Sequence, residues 1–238
     1  MAGTVPGRAR NAHRARLSAE TRDRTFYGRW IAANGLSEAA GLGTTFVLGS
    51  AAAPFLEAEP GVWGILGVAM LAVLLGTFLE GVVVGAAQGA VLHTRRPDIS
   101  RRSWVDATAA GAGLAWLVGM VPSTAMALAE PASAEAPMQE PTLVLVLLLA
   151  ALLGLVTGPI LGVAQWVVLR RRVAGAASWL WANALGWALG MPVIFAGMDL
   201  VPWSGPPLLR AAAIYGVCLV AGLVVGSVHG AVLVRITR

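Results

Sequence analysis

Long apolar runs separated by short polar stretches set the pattern of this chain from Trp30 onward. Six runs stand near residues 30–50, 62–93, 104–128, 142–169, 179–198 and 207–234. Each meets or approaches the ~20 residues that a membrane-spanning helix needs. The expectation is an all-α polytopic membrane protein with six transmembrane helices. The second, fourth and sixth runs are the longer ones, which predicts tilt, a bend at glycine, or projection beyond the bilayer.

One pattern is written three times at the ends of those longer runs. Residues 81–92 read GVVVGAAQGAVL, residues 158–169 GPILGVAQWVVL, and residues 222–233 GLVVGSVHGAVL. They share G-x-x-x-G-x-x-(Gln or His)-x-x-V-L. The glycines are Gly81 and Gly85, Gly158 and Gly162, Gly222 and Gly226; the polar residue is Gln88, Gln165 or His229. The shorter runs carry a second pattern, W-x-x-A-(Asn or Thr), at Trp30–Asn34, Trp104–Thr108 and Trp179–Asn183. The unit is a hairpin of a tryptophan-headed helix and a glycine-lined helix, with copies at approximately 28–96, 103–172 and 178–238. Each unit has an even number of crossings, so the three share one orientation and their symmetry axis runs along the membrane normal.

Charge orients the array. All 17 basic residues are arginine, and every one except Arg210 lies between residue 8 and residue 29, in the links 93–102 and 170–177, or at the C-terminus. Six of the 12 acids fall in the alternate links 51–61, 129–141 and 198–207. The positive-inside rule puts both termini in the cytoplasm of a cell (inner or plasma) membrane. Residues 1–27 lack the apolar core of a secretory signal and read as an arginine-rich cytoplasmic tail, disordered or at most a short interfacial helix. A composition of 57% hydrophobic and 12% charged residues fits the membrane class. The exclusive use of arginine, with much alanine and glycine, points to a GC-rich bacterial genome. The arginines flank apolar segments in short clusters, which reads as topology signal and not as a nucleic-acid-binding face.

The segment GVAQWVVLRR followed by SWLWANALGWALG resembles a group of uncharacterised bacterial polytopic membrane proteins carrying GxxQWxVLR hairpin repeats. The likeness covers residues 29–238, is clearest at 158–190, and weakens in the third copy, where His229 replaces glutamine. It implies a membrane location and a hairpin-repeat fold, and transfers no activity.

Glycines four apart lie on one helix face and let a second backbone approach, which is how helices associate in lipid. Gln88, Gln165 and His229 share that face and read either as hydrogen-bonded glue or as a polar ring near the axis. Asn34 and Asn183 carry the same two readings. The tryptophans at the helix starts, with Trp63 and Trp203 at the opposite boundary, read as aromatic belts; Trp116 and Trp187 lie deeper and pack. Ser103-x-x-Asp106 reads as a capping box opening the third helix. Glu38 and Glu80 fall about 12–18 Å inside the cytoplasmic boundary at the helical rise. A carboxylate at that depth is costly and is a functional candidate by default. As members of adjacent antiparallel helices, the two are expected within water-bridging distance, where they share a proton, hold a cation, or stay neutral as structural groups that snorkel or bond a neighbouring backbone.

No H-E-x-x-H, C-x-x-C, G-x-S-x-G or Walker pattern occurs. An enzyme is the least supported class, with no catalytic residue, metal site or cofactor indicated. The leading expectation is a membrane-embedded packing or interaction module whose partners are the bilayer, a second copy or another membrane protein. The alternative is a small-solute or proton/cation-coupled transporter using Glu38 and Glu80. Water access to those glutamates separates the two.

Overall fold

The computed structural model describes residues 5–57, 61–129 and 141–238, and is all-helical, with no strand among them. Helix α1 (Val5–Glu38) passes through a π-helical turn (Ala39–Gly43) into α2 (Thr44–Glu57). Helix α3 (Val62–Leu75) passes through a second such turn (Gly76–Gly81) into α4 (Val82–Arg95). The remaining helices are α5 (Arg101–Ala129), α6 (Leu143–Leu169), α7 (Ser178–Asp199) and α8 (Pro207–Ile236). A π turn disturbs the usual carbonyl pairing. In the first one the hydroxyls of Thr44 and Thr45 reach back to the carbonyls of Ala40 and Gly41, at 2.5 and 3.0 Å. The second run, one of the longer ones, is thus interrupted by a π turn at Gly76–Gly81.

Five of the helices, Val62–Arg95 and α5 to α8, are long and apolar enough to cross a membrane. The first rod is not among them. Its α1 part carries the polar leader, and its α2 part is only 14 residues long. The leader, expected as disorder or a short interfacial helix, is helical from Val5 onward. No proline or glycine interrupts residues 8–27, and Arg16 and Glu20 form an i,i+4 pair at 3.2 Å. Its base is also tied down. Asp23 meets Arg95 at 2.7 Å and Arg238 at 2.9 Å, while Arg95 lies over the Phe26 ring. Burial opposes the charge on Asp23, but its bonds to the two guanidiniums win and hold the carboxyl below the usual aspartate range. Arg96 bridges Asp98 and the carbonyl of Arg172, which joins two of the arginine-rich links.

The capping box is corrected as well. Helix α5 already begins at Arg101, and its cap is Ser100, whose hydroxyl accepts the N–H of Ser103 at 3.3 Å. Asp106 lies more than a turn in, exposed, and pairs with Arg102 at 3.7 Å.

Two apolar clusters fill the bundle. The one nearer the arginine-rich end is built on Trp30, Trp104 and Trp179 with Leu92, Leu169 and Leu233, the leucines that close the three glycine motifs. The other holds Leu42, Leu161, Trp187, Ile214 and Val225. Trp63 and Trp203, at the opposite end, are exposed as belt residues are. The tryptophans that begin the shorter runs are not a belt. All three are 0% exposed and meet edge to face, with ring centroids 6.5, 5.9 and 5.9 Å apart. The reason lies in the glycines: helices that approach this closely leave space only toward the centre, where three indoles at one height fill it.

Candidate polar site on the bundle axis

The glycine motifs create the site by letting each hairpin lean on the next. A Cβ placed on Gly85 would stand 3.0 Å from the Thr108 Cβ; on Gly162, 3.0 Å from the Asn183 Cβ; on Gly226, 2.7 Å from the Asn34 Cβ. The preceding glycines behave alike. Gly81 faces the Ala109 backbone, Gly158 the Asn183 carbonyl, and Gly222 the Asn34 carbonyl and the Glu38 side chain. So α4 lies against α5, α6 against α7, and α8 back against α1. The contacts close a circle, and all six predicted packing glycines take part.

Inside that circle the polar residues are buried and connected. Asn34, Gln88, Gln165, Asn183 and His229 are each no more than 2% exposed. Gln88 Nε2 donates to Asn34 Oδ1 at 2.9 Å, across the first hairpin. Gln165 Nε2 donates to Thr108 Oγ1 and to Gln88 Oε1, both at 3.0 Å. Each glutamine also accepts an indole N–H from the next hairpin: Trp104 to Gln88 at 3.2 Å, and Trp179 to Gln165 at 3.0 Å. Asn34 and Asn183 anchor their amides on the carbonyls of Trp30 and Trp179. Thr108 and the three tryptophans are site residues that sequence reasoning left out. The signal was present, because each tryptophan lies four residues before the polar residue of its own helix.

The third arm is different. By the order of the other two, His229 would accept from Trp30 and donate to Asn183. Instead Trp30 Nε1, Asn183 Oδ1 and both ring nitrogens of His229 are buried without a hydrogen-bond partner among the described residues. The imidazole lies against the Trp179 ring, at 5.0 Å between centroids, and against Gly186. An imidazole is shorter and stiffer than glutamine and cannot turn its two polar atoms to both neighbours. His229→Gln is therefore expected to raise the unfolding midpoint in detergent by a few degrees, by giving Trp30 an acceptor and Asn183 a donor. His229→Leu leaves both of them unpaired and should not reproduce the gain.

Glu38 and Glu80 are also buried, at 2% and 8% exposure. Glu38 immediately precedes the first π turn, and Glu80 lies within the second. The turns touch, for a Cβ on Gly41 would stand 2.8 Å from the Glu80 Cα. Glu80 Oε2 accepts the Trp116 N–H at 2.6 Å, while Glu38 Oε2 has no hydrogen-bond partner among the described residues. The expected adjacency of the two helices is present, since the turns that carry the glutamates touch at Gly41. Phe46 and Trp116 meet edge to face, and Gly222 backs the Glu38 side chain. Among the described residues no group of His, Cys, Asp and Glu has the arrangement of a metal site. Comparisons with family models, with curated proteins and with solved structures give no match.

Proposed function

We propose that the chain is a six-span membrane protein made of three hairpins around a pseudo-threefold axis, and that it serves as a membrane-embedded packing and interaction module. Both termini lie on the cytoplasmic side in this reading, with the arginine clamp around Asp23 at that surface. The observation that carries it is the tryptophan triad. Three indoles at 0% exposure occupy the axis where a conduit would have to run, and the glutamine network above them is drawn tight by bonds between hairpins. A transporter needs an alternating route to its polar groups; Glu38 and Glu80 are instead enclosed by Trp116, Gly41 and Gly222. The surface left for partners is apolar, as on α6, where Val144, Leu148, Leu149, Leu152 and Val156 are all at least half exposed.

The test has two parts. Cysteines placed one at a time at residues 57, 135 and 204 in otherwise unaltered protein should react with a membrane-impermeant maleimide from outside the cell. Reaction of any of them only from the cytoplasmic side removes the topology. Purified protein in liposomes should leave proton and small-solute permeability at the level of empty vesicles, while crosslinking within the bilayer captures a second copy or a membrane partner. Saturable flux above that level overturns the module reading.

A further inference from the structure

We propose that Glu38 and Glu80 jointly form a site for one small monovalent cation, a proton or a sodium ion, held between the two facing π-helical turns. This goes beyond the packing role and rests only on the membrane placement, which the maleimide labelling tests separately.

The geometry is that of a built site with a charge deficit. Two buried glutamates from different helices stand on turns that touch at Gly41, where a Cβ would meet the Glu80 backbone. One is partly satisfied, since Trp116 donates to Glu80 Oε2 at 2.6 Å; the other keeps a buried oxygen, Glu38 Oε2, with no hydrogen-bond partner among the described residues. The wall from α8 contributes Gly222, packed against the Glu38 side chain, and one turn earlier on the same helix Cys218 is fully buried. Tyr215, also on α8, is turned to Thr44 at 3.2 Å. Among the described residues the ion pairs involve Glu20, Asp23, Asp98 and Asp106, and no arginine or histidine reaches either glutamate.

Two carboxylates enclosed without a counter-charge repel each other in a weakly screened medium, and each lacks the hydration that stabilises it in water. One monovalent cation removes most of that cost. It engages the free oxygen of Glu38, while the Trp116 N–H supports the negative charge that stays on Glu80. A proton and a sodium ion meet the same requirement.

Infrared spectroscopy of the purified full-length protein at neutral pH tests this directly. In choline buffer one protonated-carboxyl band per chain is expected, abolished by either Glu38→Gln or Glu80→Gln. If sodium chloride at equal ionic strength leaves the band, the bound ion is a proton; if sodium removes it, the site accepts sodium. Both results support a one-cation site. No band in choline, or two bands, overturns it, and the wild-type spectrum decides this whether or not the variants fold. A hydrophobic carbodiimide, which reacts with protonated carboxyls, should place its adduct on Glu38 or Glu80 by mass spectrometry. An adduct confined to other acidic residues overturns the assignment.

Discussion

Gly158→Leu should separate α6 from α7 and cost the bundle more than any other single glycine substitution in the three motifs. A Cβ at Gly158 lands on the Asn183 carbonyl, which is backbone and cannot rotate aside. Overpacking of this kind costs about 1–3 kcal/mol, and occasionally more, even where side chains yield; here a helix has to move. Gly162 faces the side chain of Asn183 and should suffer less. Gly216 supplies the control, since nothing stands within 4 Å of a Cβ there. Gly216→Leu should be neutral or slightly stabilising, because it removes backbone freedom from the unfolded chain. Cys218 provides the readout. It is the single cysteine and fully buried, so a thiol-reactive dye reports unfolding during a temperature ramp. Equal midpoints for the Gly158 and Gly216 variants would show that the α6–α7 seam is not held by close approach.

Gln165→Leu is expected to lower the midpoint nearly as far, for a different reason. Gln165 donates to Gln88 and Thr108 and accepts from Trp179. The substitution removes three bonds at once and leaves the Trp179 N–H unpaired in an enclosed space. Bonds between helices in lipid average about 0.6 kcal/mol and reach about 1.7, which puts the loss at roughly 2–4 kcal/mol once the stranded indole is included. Gln165→Glu distinguishes charge from geometry: it keeps an acceptor for Trp179 but gives up both donated bonds. The variant should be destabilised at neutral pH and partly restored in acid, where a protonated carboxyl donates one bond again. Near-ultraviolet circular dichroism follows the same event, because the interlocked indoles lose their fixed setting when Trp179 is released. A Gln165→Leu protein with the wild-type midpoint and indole signal would mean that the network is decoration on a bundle held by shape alone.

The sequence by itself determined the helical runs, the glycine faces and the identity of the buried polar residues. Each of these follows from local pattern: run length, four-residue spacing, and the rarity of an amide or carboxyl in an apolar stretch. Glu38 and Glu80 were legible as neighbours for the same reason, since a short link makes their helices antiparallel. Only the tertiary structure decided which way the leading tryptophans turn. An indole at a helix start suits a membrane boundary or a core equally well, and the choice depends on how far the glycines let the helices close. That closure sends Trp30, Trp104 and Trp179 inward and sets them against Gln88, Gln165 and His229. The helical leader and the π turns were likewise out of reach of pattern. The first is clamped through Asp23 to residues 95 and 238, and the second bring Gly41 against the Glu80 backbone, a contact between helices. The broken third arm at His229 belongs to both. The substitution is plain in the sequence, but only the packed bundle shows that an imidazole there leaves Trp30 Nε1 and Asn183 Oδ1 without partners among the described residues, because reach and direction are properties of the assembled helices.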